Sequence, residues 1–144
     1  MSRLFLDCEF NEFGGELISM ALVSEDGREF YEVAAIPEVP GRFVADHVLT
    51  KLGKEPIGKE AFGLLLSEFL RDFADCEIVA DWPADFEHLC AHFSAAGRDI
   101  GWKLPIHCTM RLITTPELFP VIPHNALSDA QALRGWWMNT YTVS

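Results

Sequence analysis

The stretch Arg-Leu-Phe-Leu-Asp-Cys-Glu-Phe, residues 3–10, decides the fold of this chain. Side chains alternate between the two faces of a β-strand. One face here carries Leu4, Leu6, Cys8 and Phe10, and the other carries Phe5, Asp7 and Glu9. A strand with apolar side chains on both faces is typical of the middle of a sheet. The sequence therefore predicts a central strand that presents two carboxylates on one face.

The segments after this strand extend the sheet. Strands are predicted at 16–24 and 29–35, on either side of the turn Glu25-Asp26-Gly27-Arg28, which indicates a hairpin. The following stretch, 36–58, contains three prolines and several glycines. It is predicted to be mostly loop, with room for one short helix.

The second half of the chain alternates helices and strands. Apolar residues recur at helical spacing over 60–74. After them we expect a strand at 77–80, a helix from Pro83 to about Ala96 closed by Gly97, a strand at 102–108 and a helix that begins near Asn125. This order predicts one α/β domain over residues 1–144, with a mixed five-stranded sheet flanked by helices.

The composition excludes several classes of protein. With 49% hydrophobic residues and 11 phenylalanines, the chain is too apolar for intrinsic disorder. Asp7 interrupts any signal-peptide region, and no apolar run approaches the length that spans a bilayer, so no membrane association is expected. Four scattered cysteines without a CxxC pair fit a reduced, cytoplasmic environment.

The formal net charge of −11 is unusual for a nucleic-acid-binding protein, because phosphate contacts from lysine and arginine supply most of the affinity for long duplexes. Two interpretations follow. Either the chain does not bind nucleic acid, or it handles short ends through bound cations.

Asp7 and Glu9 form a D-x-E motif whose carboxylates project from one face of the first strand. Burying two acids side by side is costly unless a cation compensates their charge. Mg²⁺ and Mn²⁺ do so, since hard cations prefer oxygen ligands. The alternative is a strand end that emerges into solvent.

Asp85 follows the buried strand 77–80 at the start of the next helix. Loops at strand ends are where α/β folds place their sites. The helix macrodipole also favours an acid at this position, which is the structural alternative. Asp81, four residues earlier, is a rival for the same role.

The segment His124 to Asp129 reads HNALSD, with His124 before the final helix and Asp129 just over one turn inside it. An imidazole that titrates near neutral pH beside a metal-binding acid suits the activation of water. The alternative is a helix-capping histidine with a solvated aspartate.

Together these three motifs, in this order, resemble the DEDDh family of 3′–5′ exonucleases. The resemblance covers the chain from Leu4 to about Trp137. It implies a ribonuclease-H-like fold, which the predicted strand order matches. The short length resembles the small stand-alone bacterial exoribonucleases first recognised in mycobacteria.

The resemblance implies two-metal hydrolysis that releases nucleoside 5′-monophosphates from single-stranded or overhanging 3′ ends. It assigns two Mg²⁺ or Mn²⁺ ions to four carboxylates: Asp7, which bridges both ions, and Glu9, Asp85 and Asp129. It assigns proton abstraction from the attacking water to His124.

Phe10 and Phe13 directly follow the first motif, where family members stack on the terminal base. Stacking on an aromatic ring tolerates any base and suits an exonuclease. Core packing is the alternative for Phe10.

Several alternatives stay open. The family's second motif has a histidine or asparagine and an aromatic residue before its aspartate. In this chain Asp81-Trp82-Pro83-Ala84 stands at that place, and the spacing to Leu89 favours Asp85 over Asp81.

RNA is favoured over DNA as substrate. A DNA exonuclease is the second candidate function, and a non-catalytic acidic module that binds a protein partner is the third. Aromatic residues near the C-terminus indicate a possible homodimer surface: Trp136, Trp137 and Tyr141.

Overall fold

A six-stranded mixed sheet forms the middle layer of the computed structural model, which describes residues 2–12, 14–36, 39–73, 75–100 and 107–141, with side chains only as far as His92 in the fourth range. The strands are β1 (Ser2–Phe10), β2 (Leu17–Ser24), β3 (Glu29–Ala34), β4 (Pro56–Ile57), β5 (Asp75–Ala80) and β6 (His107–Leu112). Their spatial order is β4-β3-β2-β1-β5-β6. The helices are α1 (Arg42–His47), α2 (Lys59–Arg71), α3 (Pro83–Ile100) and α4 (Ala126–Tyr141), and a 3₁₀ turn covers Leu49–Lys51.

Strand β1 lies in the interior of the sheet, as its two apolar faces predicted. It pairs antiparallel with β2, with Asp7 opposite Ala21. On its other side it pairs parallel with β5, with Phe5 opposite Val79. The predicted class, a mixed α/β domain with helices flanking the sheet, is confirmed, and the arrangement is compatible with a ribonuclease-H-like fold.

The sheet has six strands rather than the five predicted from the sequence. The additional strand is β4, whose two residues pair parallel with Val33 and Ala34 of β3. Its first residue is Pro56, which an edge strand tolerates because the missing N–H faces away from the ladder. The prolines of this stretch led the sequence prediction to assign it to a loop.

Helices cover both faces of the sheet and divide the core into two layers. Under α2 and α3, the side chains of Leu4 and Leu6 pack with Phe62, Leu66 and Leu89. On the opposite face, Phe5 packs with Leu133 and Trp137 of α4. The D-x-E carboxylates share the α4 face, because Phe5, Asp7 and Glu9 alternate with the residues that face α2 and α3.

Two predicted boundaries in the second half are wrong. Helix α3 continues through Gly97 to Ile100, because a single glycine inside a helix costs only about 1 kcal/mol and does not end it. The strand predicted at 102–108 is β6, which spans His107–Leu112. Residues 101–106 lie outside the described residues.

The C-terminal aromatic residues divide between core and surface. Trp137 is buried against Phe5, with ring centroids 6.0 Å apart, while Tyr141 is exposed. A homodimer through this region stays a prediction, as does the single domain over 1–144. Within the described part of the chain, no helix combines the length and the apolar character that crossing a membrane requires.

Candidate metal centre and substrate cleft

The parallel pairing of β1 and β5 brings Asp7 and Asp81 to the same edge of the sheet. Phe5 lies opposite Val79, so Asp7 and Asp81 each stand two residues beyond this pair. Residues at the same level of a parallel ladder point to the same face. Asp81 is thus placed beside Asp7 immediately after β5 ends at Ala80.

A second contribution comes from α4. This helix packs closely on β2 because the contact consists mainly of small residues, with Ala126 and Ala130 against Ala21. The close approach brings Asp129, in the first turn of α4, to the D-x-E face. Asp7, Glu9 and Asp129 each place a ligand atom within 4.8 Å of the others.

Asp85 completes a second group of three carboxylates. It lies in the first turn of α3, and only 1% of its surface is exposed. Asp7, Asp81 and Asp85 also place ligand atoms within 4.8 Å of one another. The five acids therefore form two triads, the Glu9 triad (Asp7, Glu9, Asp129) and the Asp85 triad (Asp7, Asp81, Asp85), which share Asp7.

The protein leaves part of this charge uncompensated. Oδ2 of Asp7 and Oδ2 of Asp85 are buried and have no hydrogen-bond partner among the described residues. No arginine or lysine of the described residues forms an ion pair with Asp7, Asp81 or Asp85. Buried carboxylates are normally paired or bound to a metal. The donor set, all oxygen, is the one that Mg²⁺ and Mn²⁺ prefer, so the residues present fit divalent cations.

The electrostatics of the metal-free centre show the same lack of compensation. Burial raises the pKa of Glu9 to about 8, and the hydrogen bond and the charge of Asp129 add to the rise. Burial likewise raises the pKa of Asp85 to about 8, with a further contribution from the charge of Asp81. The pKa of Asp7 lies well above its ordinary value because of burial and then the charges of its neighbours, Asp85 foremost.

The pKa of Asp129 is also raised, but opposing effects act on it. Burial raises it, whereas the hydrogen bond with Glu9 and the nearby imidazole of His124 act in the opposite direction. The hydrogen bond between Glu9 and Asp129 thus raises the pKa of Glu9 and lowers that of Asp129. A divalent cation would bind the deprotonated carboxylates, so its binding would release any proton held between them.

His124 stands at the wall of the same cleft, immediately before α4. Its backbone has a φ of 63°, in the left-handed region where histidine is among the more frequent non-glycine residues. The next residue, Asn125, anchors this segment. Its side-chain amide accepts a hydrogen bond from the Ser128 amide at 3.0 Å and donates one to the Lys51 carbonyl at 2.8 Å. The Phe43 ring meets the imidazole edge to face, with centroids 5.2 Å apart.

The two triads line a cleft of about 1020 Å³. Aromatic side chains also line it: Phe10, Phe43, Trp82 and Phe119. Three of them, Phe43, Trp82 and Phe119, are more than half exposed, at 54%, 51% and 85%. Rings with open faces at the mouth of a cleft suit stacking on nucleobases.

Phe10 contacts both the core and the cleft. It is half-buried and packs against the core under α2 and α3, and it also lines the cleft, with its ring 5.1 Å from that of His88. Phe13, the other residue predicted to stack on a base, lies outside the described residues.

The structure thus brings Asp7, Glu9, Asp85, His124 and Asp129 to one cleft. It also adds residues that sequence reasoning missed or treated differently. Asp81, considered only as a rival of Asp85, lies in the same triad as Asp85. Thr115 donates a hydrogen bond to Oδ2 of Asp81 at 3.1 Å. The position of Asp81 directly after a buried strand was a usable signal, whereas nothing in the sequence connects Thr115 or Phe43 with the acids.

Comparison with known proteins adds an independent finding. Two curated proteins of Mycobacterium tuberculosis, one from strain CDC 1551 / Oshkosh and one from strain ATCC 25618 / H37Rv, are each named a 3′–5′ exoribonuclease and are each 40% identical to this chain over 96 residues. The match covers 60% of this chain and 57% of each relative, so the chain spans little more than half the length of the proteins it matches. No protein-family model matches the chain.

Proposed function

We propose that this chain is a 3′–5′ exoribonuclease that depends on divalent metal ions and releases nucleoside 5′-monophosphates from single-stranded or overhanging 3′ ends. The observation that carries the proposal is the pair of carboxylate triads that share Asp7 on the wall of an aromatic cleft. RNA is favoured over DNA because both relatives are named exoribonucleases. A cytoplasmic location and the DEDDh type belong to the same proposal.

Each triad would hold one Mg²⁺ or Mn²⁺ ion, with Asp7 common to both. When bound, such ions neutralise phosphate charge and make water a stronger nucleophile. The chain's part is to hold the carboxylates in place on β1, α3 and α4, so that little reorganisation accompanies binding. Bound cations would cancel part of the net charge of −11.

His124 is placed to take the proton from the attacking water. It is half-buried in the cleft wall and lies close enough to Asp129 to lower the pKa of that carboxyl. An imidazole accepts a proton near neutral pH without being a metal ligand itself. The Phe43 ring limits the orientations open to the imidazole.

The aromatic rings of the cleft would bind the 3′-terminal nucleotides. Phe10 lies next to the D-x-E motif, whereas Phe43, Trp82 and Phe119 are more than half exposed. Stacking contributes about 1–3 kcal/mol per base and discriminates little between bases. The chain would therefore hold a short 3′ end by stacking and metal–phosphate contacts rather than by a basic track.

The test is an assay of 5′-labelled RNA and DNA oligomers of one sequence, with Mg²⁺, with Mn²⁺ and with a chelator. Stepwise shortening from the 3′ end with mononucleotide release, on RNA faster than on DNA and only with metal, is expected. Asp129→Asn is the matched inactive control, because it changes one ligand without changing the side-chain volume. Internal cleavage, or equal activity in the chelator, would contradict the proposal.

A further inference from the structure

Asp81 is an acid that the D-x-E, Asp85 and HNALSD motifs do not include, yet it lies in the centre. The strand register sets it level with Asp7, and a carboxylate oxygen of each lies within 4.8 Å of a ligand atom of Asp85. The side chain is half-buried and lines the cleft. Asp81 is therefore present together with Asp85, not in its place.

A second observation shows that no positively charged side chain of the described residues compensates the Asp85 triad. Asp85 is 99% buried, and its Oδ2 has no hydrogen-bond partner among the described residues. The ion pairs of the described residues include none with Asp81 or Asp85. Three carboxylates within 4.8 Å repel one another unless a cation lies between them.

The orientation of Asp81 is also fixed. The Thr115 hydroxyl donates to Oδ2 of Asp81 at 3.1 Å. Thr115 belongs to the segment between β6 and α4, which lines the cleft as far as His124. Hydrogen bonds of this kind hold ligating carboxylates in place at metal sites.

We propose that Asp81 is a ligand of the divalent cation held by the Asp85 triad, and that Thr115 is the positioning residue of Asp81. The inference rests on the proposed function, since it assigns a further ligand to one of its two ions. The other ion belongs to the Glu9 triad and does not involve Asp81. Metal binding at the Asp85 triad consequently also fixes the Thr115 segment against the cleft.

The test measures Mn²⁺ binding to the isolated chain by electron paramagnetic resonance and calorimetry, in Asp81→Asn and in Glu117→Gln. Both variants remove one negative charge, and Glu117 is an exposed residue of the same cleft. In the wild type we expect two ions per chain. Asp81→Asn should weaken one of them by at least about tenfold and the other only slightly, whereas Glu117→Gln should weaken both only slightly.

Two variants of Thr115 provide a second measurement, which does not depend on whether Asp81→Asn folds. Thr115→Val keeps the shape and removes the hydroxyl, so it should weaken the same ion by roughly 10-fold or more. Thr115→Ser keeps the hydroxyl and should restore binding. Equal Mn²⁺ affinities in Val and Ser variants would remove the positioning role of Thr115.

The outcomes separate this inference from the proposed function. If the wild type binds two ions and degrades RNA while Asp81→Asn binds both as tightly as Glu117→Gln does, Asp81 is not a ligand and the proposed function stands. If the wild type binds no Mn²⁺, the proposed function and the inference both fail.

Discussion

Replacing Asp85 with asparagine should stabilise the metal-free protein while destroying its metal centre. Burial raises the pKa of Asp85 from its ordinary value of 3.8 to about 8. The folded chain therefore keeps a proton that the unfolded chain releases, so stability is full below about pH 4 and falls as the pH rises towards 8. Because asparagine has no titrating proton, the free energy of unfolding of Asp85→Asn should not fall over this pH range.

The magnitude follows from the pH interval involved. Between the ordinary pKa of 3.8 and pH 7 lie about three units, each equivalent to about 1.4 kcal/mol. The upper limit for the gain in the free energy of unfolding at pH 7 is therefore about 4 kcal/mol. The gain should be smaller in practice, because the titration of Asp85 is coupled to that of Asp7, whose pKa is also raised.

Urea denaturation in chelator at pH 4 and pH 7 measures the difference. The control is Glu87→Gln, which removes an exposed charge from the same helix and should change stability little at either pH. Excess Mn²⁺ should reverse the order, since it binds the folded wild type more tightly than the variant. If Asp85→Asn is no more stable than the wild type at pH 7 in chelator, Asp85 is ionised without a cation and the account of its environment is wrong.

Three further predictions concern the base, the packing of α4 and the substrate. His124→Ala should slow hydrolysis by about 10²–10⁴-fold with little change in Mn²⁺ affinity, and a large fall in calorimetric affinity would make His124 a ligand instead. Ala130→Leu should overfill the fully buried contact of α4 with β2 and cost about 1–3 kcal/mol in urea denaturation. It should also weaken Mn²⁺ binding because Asp129 moves from Glu9, whereas Asn139→Leu on the exposed end of α4 should do neither. The affinity of the His124→Ala variant for single strands in Ca²⁺ should plateau after a few nucleotides and depend weakly on salt. Each phosphate neutralised by lysine or arginine adds about 0.7 to the slope of log affinity against log salt, and the acidic chain should neutralise few of them. A steep slope that grows with strand length would reveal a basic groove.

The elements that the sequence predicted well are those with a local signal. Alternation over residues 3–10 placed Asp7 and Glu9 on one face of an interior strand, and the structure has them there. The final helix begins at Ala126, next to the predicted start at Asn125. Both predictions depend only on side chains that are close in sequence, so contacts with distant segments did not alter them.

The features that the sequence did not predict depend on contacts between distant segments. The level position of Asp7 and Asp81 follows from the register of β1 with β5, and a hydrophobic pattern alone does not set that register across such a distance. Strand β4 exists only because β3 offers an edge to pair with. Helix α3 passes Gly97 because the intrinsic penalty of one glycine is small.

The placement of the carboxylates along the chain determines when the centre forms during synthesis. β1, β2 and β3 are consecutive antiparallel strands, and this meander carries Asp7 and Glu9. β5 then adds beside β1, whereas Asp129 arrives only when α4 docks on the completed sheet. A nascent or truncated chain that ends before α4 therefore contains all six described strands and His124 but lacks Asp129, a carboxylate of the Glu9 triad. Under the proposed function, the chain would become active only after α4 has been made and has docked on the sheet.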